Sequence, residues 1–524
     1  MAPPSRCGAA AATRRVNISA VVHAAAALIV VTLAAALLLR APMFPPASPA
    51  TSQVLAAFRI AFAVVLLFRL HRLRSARHVL WPASRGHRAD RWFGVTRVIT
   101  LWQAFAVLLA AGLVTPVAAA GCLLCGLYVF ERSYTHSLED VLFQANSFFL
   151  IILDSSALWS LDRLLDLHRR LVPLDLALHL WFLGLAILLF SAGLEKMFSP
   201  MWRQGRAFGL FIGLPHLVQP RFRFLRAVPR IGWYLSWTTV VAELGLLALA
   251  PWQPARLVLL VVLAGFAVCL FLVVDLSFIG QTLVLWVAAL GAIDALGVAT
   301  GRGAAGAAPL LDFAAPAFWL CMAGIAVVAG ACFWFPVAGL RKRLAAITRF
   351  TVGLEPIQVF TDSQLYGIYL YRVIAMLSDG GERPLVQTFL VDGACGPLQT
   401  WQPRVFLKLT YEVTDLCLLI EQHGRERARK TLRFEATCDL VRSGFAELTP
   451  HHRAQVDRLV LHVSPVQLES LDDPRCCSFT LGPWQPLLTV RVAAGLLGEP
   501  ELHDLQVRVE QSMRGHALAA TAGR

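Results

Sequence analysis

The residue types that could do chemistry lie at the two ends of one apolar run, within residues 159–205. The first end reads W-S-L-D-R-L-L-D-L-H-R-R, and its ionic side chains are Asp162, Arg163, Asp166, His168, Arg169 and Arg170. The second end reads S-A-G-L-E-K and carries Glu195 and Lys196. Residues 173–194 between them are mostly apolar, and about 20 such residues cross a bilayer. Because charge in or beside a membrane is costly and usually marks a site or a pathway, both ends are candidate functional regions.

The composition of the chain indicates a membrane protein. Of its 524 residues 57% are hydrophobic and 15% charged, whereas soluble domains carry about 25% charged residues. Only helices and closed barrels satisfy their backbone in lipid, and the apolar runs lack the alternation of barrel strands. The net charge of +14 comes mostly from arginines beside these runs, which argues for contact with a lipid bilayer and against nucleic acid as a partner.

The apolar runs predict an all-α polytopic bundle of about nine or ten spans, followed by a small soluble α+β domain. We divide the chain into residues 1–52 with a first span, residues 53–339 as the main membrane domain, and residues 340–524 as the soluble domain. The predicted spans cover residues 18–39, 53–70, 95–113, 116–130, 141–158, 173–194, 233–249, 257–274, 276–290 and 318–337.

Arginine-rich loops predict the orientation of the chain. Basic segments at 69–91, 203–230 and 341–343 fall on the same side as the arginine-bearing N-terminus. The positive-inside rule then places both ends of a multi-pass membrane protein in the cytoplasm. The C-terminal cysteines are accordingly expected to be reduced: Cys395, Cys417, Cys438, Cys476 and Cys477.

The soluble domain carries no nucleotide-binding or metal-ligand motif. Strands are predicted at 370–377 and 385–391 around the hairpin signal S-D-G-G, and at 456–466 and 487–492. Helices are predicted at 406–421 and 425–443, with Gly424 and Gly444 as stops. Cys122 and Cys125 form a C-x-x-C inside an apolar run, where two buried thiols are a better interpretation than a metal or redox site. We therefore predict no metal.

Two more charges lie inside predicted spans. Arg59 is either an arginine that snorkels toward the interface or an inward partner for a buried acid, and we favour the inward interpretation. If the polar residues only hold helices together, Glu243 would pair with an arginine such as Arg59 or Arg97 as one such tie.

The motif W-S-L-D-x-L-L-x-x-H-R-R, together with A-G-x-x-K and W-x-x-G, resembles the vitamin K-dependent γ-carboxylase and the wider family with a horizontally transferred transmembrane (HTTM) domain. The match covers roughly residues 55–337, with weaker matches at F-R-I-A-F (58–62), T-H-S (135–137) and F-I-G (278–280). The residues that carry A-G-x-x-K and W-x-x-G are Ala192, Gly193, Lys196, Trp202 and Gly205.

The resemblance implies a quinol-dependent oxygenase or epoxidase that uses vitamin K hydroquinone or another quinol, acting on or with a peptide or protein. It implies that Lys196 is the base that deprotonates the quinol, and a bacterial-type member of the family is expected in the inner membrane of a bacterium. Physical chemistry agrees, because a lysine in an apolar setting loses solvation of its ammonium form and its neutral amine can then act as a base. Asp162, His168, Arg169, Arg170, Glu195 and Glu243 would be orienting ions or a network that ties helix ends.

Two departures leave a second hypothesis open. Glu195 stands where the carboxylase has another lysine, and the soluble domain is much smaller than the luminal part of the carboxylase. The alternative is a non-catalytic membrane scaffold, of an export or immunity type, whose C-terminal domain binds a partner protein.

Overall fold

A computed structural model describes the membrane domain and the C-terminal domain in part. It describes residues 48–75, 94–131, 138–153, 155–167, 172–213, 222, 224, 229–273, 277–301, 369–387, 403–446, 448–468, 479–493 and 496–505. The spans predicted at 18–39 and 318–337 lie outside these residues, as do His168, Arg169 and Arg170.

The membrane domain is helical throughout its described part. In chain order the helices are α1 (Pro49–Ser75), α2 (Val95–Ala111), α3 (Thr115–Glu131), α4 (Leu138–Ile152), α5 (Leu161–Leu164), α6 (Leu174–Phe198), α7 (Pro200–Arg203), α8 (Ala207–Gly213), α9 (Pro229–Ala248), α10 (Gln253–Leu272) and α11 (Ser277–Gly301). Five of them, α1, α6, α9, α10 and α11, are long and apolar enough to cross a membrane. The chain therefore has the helices of a multi-pass integral membrane protein.

The predicted spans correspond to these helices, with two corrections at their ends. The span predicted at 141–158 is wrong at its C-terminal side, since α4 ends at Ile152 and Ser155 begins a turn. The span predicted at 276–290 is too short, since α11 continues to Gly301. The domain boundary that we placed at residue 53 falls inside α1, which begins at Pro49.

The helices pack around one core, and α9 and α10 are the least buried of the five long apolar helices. Helix α1 packs against α2 and α11, α3 against α4, α6 against α9, and α10 against α11. On the outward faces of α9 and α10, Val241, Val258 and Val261 are 58%, 62% and 72% exposed. Large exposed valines on long helices form the surface that a bilayer would cover.

The C-terminal domain combines an antiparallel sheet with helices that pack against it. Its strands are β1 (Tyr369–Leu377), β2 (Glu382–Gln387), β3 (Val456–Leu468), β4 (Phe479–Leu481), β5 (Gln485–Ala493) and β6 (Leu496–Leu502), and its helices are α12 (Pro403–His423), α13 (Arg425–Ala428), α14 (Leu432–Ala446) and α15 (Pro450–Ala454). The strand order is β2-β1-β3-β5-β6, and β4 pairs with β3. Helices α12 and α14 pack against β1.

The predicted hairpin and one predicted helix stop are confirmed in this domain. Gly380 has φ of +85° in the turn between β1 and β2, and Asp379 Oδ1 accepts a hydrogen bond from Gly381 N at 2.8 Å. Gly424 ends α12 with φ of +76°. Gly444 is wrong as a stop, because α14 continues past it to Ala446 and keeps it buried. Strands β4 and β6 were not predicted.

Candidate functional site

Lys196 and Glu243 form a buried ion pair between two membrane helices. Lys196 lies in the last turn of α6 and is 3% exposed, and Glu243 lies on α9 and is 2% exposed. The Lys196 Nζ atom is 2.5 Å from Glu243 Oε1 and 2.6 Å from Oε2. The predicted pairing of Glu243 with Arg59 or Arg97 is therefore wrong: Glu243 follows Lys196 by 47 positions in the chain, and α9 folds back to face the end of α6.

The chain breaks its helical path directly after Lys196. Ser199 leaves α6 in an extended conformation, and Pro200 then begins the short helix α7. Proline has no N–H to continue a helix and suits the first position of a new one. Helix α8 follows after Gly205, so that α6, α7 and α8 form one interrupted helical segment.

The interrupted segment runs along α9, and its break lies beside the middle of that helix. A Cβ on Gly193 would contact Glu243 Cβ at 3.2 Å, whereas one on Gly232 would lie 3.0 Å from Gly209 of α8. Glu243 follows Pro229 by about 14 residues, or ~21 Å along the axis. Irregular backbone at membrane depth is tolerated where it is buried in protein or lines a cavity, and interrupted helices form the binding sites of many membrane proteins.

Trp202 of α7 covers the ammonium group from another side. Its ring centroid lies 5.1 Å from Lys196 Nζ, and the side chain is 4% exposed. A cation over an indole face is stabilised by about 0.5–2 kcal/mol. Gly205 makes this arrangement possible, since it adopts φ of +71° and a Cβ there would lie 2.2 Å from Trp233 Cδ1.

Glu195 takes no part in the pair. It is adjacent to Lys196 on α6, and consecutive helical residues point in different directions. Its side chain is intermediate in exposure. The carboxylate that holds the Lys196 proton is thus Glu243 on another helix.

Asp162 is used differently, because it binds backbone. Its two carboxylate oxygens accept hydrogen bonds from Val114 N at 2.5 Å and Thr115 N at 2.8 Å, at the start of α3. Its own N–H donates to Gly112 O at 2.8 Å. A carboxylate at a helix N-terminus satisfies free N–H groups and complements the helix dipole.

The rest of the W-S-L-D motif also caps and closes turns. Ser160 accepts a hydrogen bond from Arg163 N at 3.1 Å and donates to Ser156 O at 2.5 Å. Trp159 has φ of +48°. Helix α6 separates this segment from Lys196 by at least 22 residues, or ~33 Å along the axis, so the structure does not bring Asp162 and Lys196 together.

Arg59 points inward and fixes the same segment. It is fully buried, and its Nη1 and Nη2 atoms donate to Ser155 O and Trp159 O, each at 2.5 Å. Asp162 is the acid that interacts with it electrostatically. The inward orientation agrees with the interpretation that we favoured, although the direct partners are backbone carbonyls.

Two other buried ion pairs escaped the sequence analysis. Arg256 at the start of α10 donates to Asp294 Oδ2 at 2.8 Å and to Oδ1 at 2.5 Å. Arg69 donates to Asp140 at 2.5 Å and also contacts Glu139. Each of these charges lies inside or beside an apolar run, and that position was the signal that could have identified them.

In the described residues, His, Cys, Asp and Glu form no group of three that could hold a metal ion. Cys122 and Cys125 are buried and free within α3. No protein-family model, no curated protein and no solved structure matches this chain.

Proposed function

We propose that the Lys196–Glu243 pair is the proton-accepting site of a membrane enzyme that oxidises a lipid-soluble quinol, as the resemblance to the vitamin K-dependent γ-carboxylase implies. The observation that carries the proposal is a buried lysine held by a carboxylate at the break of a membrane helix. Intramembrane ionisable groups are functional candidates by default. Trp202 and the apolar faces of α6 and α9 suit a flat, hydrophobic substrate.

The pair has the right charge for proton abstraction in an apolar site. As ammonium and carboxylate it is neutral overall, and one proton taken from a phenolic hydroxyl converts the carboxylate to the acid. The pair then carries one positive charge beside one negative phenolate, so the site as a whole stays neutral, as a low-dielectric interior requires. If the shared proton lies on Glu243, the neutral amine of Lys196 is the base and the products are the same.

A quinol would supply the acidic hydroxyl and, once deprotonated, a ring that reacts with oxygen. Glu243 would receive the proton, Lys196 would hold the phenolate by its positive charge, and Trp202 would keep water from the ammonium group. A peptide or protein that reacts further would be bound elsewhere, for which the C-terminal domain is the candidate.

Formation of vitamin K epoxide tests the proposal. Purified protein in detergent receives reduced vitamin K and oxygen, and the epoxide is measured by chromatography. General acid–base catalysis contributes about 10²–10⁴-fold, so Lys196→Met and Glu243→Gln should each lower epoxide formation by at least ~100-fold. No epoxide from folded wild-type protein, or undiminished epoxide in Lys196→Met, would reject the enzyme.

A second buried pair supplies the matched control. Arg256 and Asp294 are each 1% exposed and lie at the start of α10 and on α11. The double variant Arg256→Met/Asp294→Leu removes an ion pair of similar burial but should leave epoxide formation in place. Equal loss in both pairs would mean that the assay measures folding alone.

The alternative is a non-catalytic scaffold, and the hydrogen bonds of Asp162 and Arg59 favour it, since they tie the α2–α3 turn to the segment before α6. In a scaffold the Lys196–Glu243 pair would be another such tie. A folded Lys196→Met/Glu243→Met variant that keeps the biological function of the protein would support this alternative.

A further inference from the structure

Four helices, α1, α4, α6 and α11, meet at an aromatic core that lies away from the Lys196–Glu243 pair. The Trp181 and Trp286 ring centroids are 6.5 Å apart, and Phe149 lies 5.6 Å from Trp286. Phe58 of α1 lies 4.8 Å from Trp181. Trp181 precedes Lys196 by about 15 residues, or ~22 Å along α6, so this core is a separate place in the bundle.

The core contains polar atoms that have no hydrogen-bond partner. The indole N–H groups of Trp181 and Trp286 are unpaired, as are Asn146 Oδ1 and Thr282 Oγ1. The four side chains are 0%, 1%, 0% and 0% exposed in that order. Each unpaired buried polar group costs about 1–3 kcal/mol, and buried polar atoms in native proteins nearly always have a partner.

Helical spacing places these atoms in one region. Phe143 of α4 lies 6.4 Å from Phe278 of α11, and Phe149 of α4 contacts Trp286 of α11, so the two helices run side by side in the same direction. On α4, Asn146 lies midway between Phe143 and Phe149. On α11, Thr282 lies midway between Phe278 and Trp286. Residues spaced by three and four positions share a helix face, so Asn146 and Thr282 face the same interface.

Gly184 on α6 lets the Phe149 ring of α4 pack directly against the helix backbone at this core. A Cβ on Gly184 would lie 2.6 Å from Phe149 Cζ and 3.6 Å from Trp286. Asn146 Nδ2 already donates to Leu142 O at 2.8 Å, which leaves its Oδ1 atom as an acceptor. The unpaired set thus comprises two indole donors, one amide acceptor and one hydroxyl, with aromatic walls and no charged member.

We propose that these helices enclose a binding site for a small uncharged molecule with a flat apolar body, oxygen acceptors and a hydroxyl donor. Its acceptors would take the Trp181 and Trp286 N–H groups, and its donor would reach Asn146 Oδ1. The absence of charge among the four polar groups excludes an ionic ligand by desolvation cost. This inference does not depend on the proposed function of the Lys196–Glu243 pair.

Three probes of nearly equal shape test the site through tryptophan emission of the purified full-length protein. Ethylbenzene has no polar atom, acetophenone adds an acceptor, and 4-hydroxyacetophenone adds a donor to the acceptor. All three partition into detergent, so micelle effects are compared within the series. One hydrogen bond is worth about 1 kcal/mol, or ~5-fold in affinity, so acetophenone should bind ~5-fold tighter than ethylbenzene, and 4-hydroxyacetophenone tighter again by a similar factor.

Conservative variants show which protein atom causes each gain in affinity along the probe series. Trp181→Phe or Trp286→Phe keeps a ring but removes an N–H, and each should reduce the acetophenone advantage. Asn146→Leu should remove only the extra gain of 4-hydroxyacetophenone. Trp102→Phe is the matched control, because Trp102 is equally buried but lies on α2 and should change neither step.

Two results would overturn the proposal. One is equal affinity of the three probes for wild-type protein, which would mean that the polar atoms are satisfied by water or that the core is closed. The other is an unchanged probe series in the Trp181→Phe, Trp286→Phe and Asn146→Leu variants. If a variant fails to fold, the wild-type series still decides between the outcomes.

Discussion

The two ends of α6 carry the same kinds of charged side chain but use them in opposite ways. At the N-terminal side Asp162 and Arg59 bind backbone N–H and C=O groups. At the C-terminal side Lys196 and Glu243 bind each other. In the first arrangement the charged side chains satisfy the hydrogen bonds of backbone groups in turns. In the second, the two charged side chains bind only to each other in the contacts described above, so that a third molecule could exchange a proton with them. The partners of a charged side chain in a membrane protein, backbone or another charge, therefore indicate whether it is a structural group or a candidate for chemistry.

The largest expected effect comes from breaking the Lys196–Glu243 pair at one partner. Lys196→Met leaves a buried unpaired carboxylate, and the loss of one partner of such a pair costs about 3–5 kcal/mol. Replacing both partners in Lys196→Met/Glu243→Met should restore most of that stability, since apolar replacements of a buried pair are often neutral. Thermal unfolding in detergent measures the stability of the wild type, the two single variants and the double variant, which together form a double-mutant cycle.

The same cycle separates stability from activity. The double variant should fold but form no epoxide if the pair accepts the proton. A double variant that is as unstable as Lys196→Met would mean that the pair has further partners, and would weaken the comparison with Asp162.

Asp162→Ala should be the next largest change. It removes both acceptors of the Val114 and Thr115 N–H groups and the acid that interacts with Arg59. Unsatisfied buried donors cost about 1–3 kcal/mol, so a loss of ~2–4 kcal/mol is expected. Asp162→Asn keeps one acceptor and should lose less.

Glu195→Gln is the control for Asp162, because Glu195 is half-buried and should change stability by no more than about 0.5 kcal/mol. Epoxide formation per folded molecule should be unchanged in Asp162→Asn. Selective loss of turnover in a stable Asp162→Asn protein would show that the two ends of α6 act together.

Gly205→Ala tests the turn that brings Trp202 over Lys196. The left-handed conformation costs an L-residue about 1–2 kcal/mol, and the new Cβ would strike the Trp233 ring. Gly265→Ala in α10 is the matched control, since nothing lies within 4 Å of its Cβ position and alanine favours a helix by about 0.5–1 kcal/mol. The two variants should shift the unfolding temperature in opposite directions.

Local patterns predicted the helices well but not their partners. Apolar runs fix a membrane helix within its own segment, and the strand signals around S-D-G-G are also local. The Lys196–Glu243 contact depends on which helix packs beside the end of α6, which no local pattern contains. Ser199-Pro200 and Gly205 are nevertheless visible signals of an interrupted helix in the sequence.

The site roles and the orientation stay predictions. The resemblance identified Lys196, whereas the pairs Arg256–Asp294 and Arg69–Asp140 were missed although each charge lies inside or beside an apolar run. The arginine-rich loops still predict that the C-terminal domain is cytoplasmic. A phosphatase or fluorescent reporter fused after Arg524 measures this, and phosphatase activity would place the domain outside.

The C-terminal sheet shows a third way to bury a titratable group, and it gives the smallest expected effect. His462 of β3 lies opposite Arg372 of β1 in the register. Burial first, and the Arg372 charge second, lower the pKa of His462, while Glu382 opposes the shift. In the bundle a charge is kept by a partner, whereas here the imidazole stays neutral.

The sign of the pH effect follows from the direction of this shift. The unfolded histidine has a pKa of about 6.5, so below that pH the unfolded chain binds more protons than the folded one. Stability is therefore complete above about pH 6.5 and falls as the pH drops toward the lowered pKa of the folded state. His462→Gln should reduce this loss of stability at low pH, measured in unfolding curves between about pH 5 and 7.5. The change in unfolding free energy should be a small fraction of the ~3–5 kcal/mol expected when one partner of a buried ion pair is removed. His451 on α15 is exposed, so His451→Gln is the control, and equal pH curves for wild type and His462→Gln would contradict the assignment.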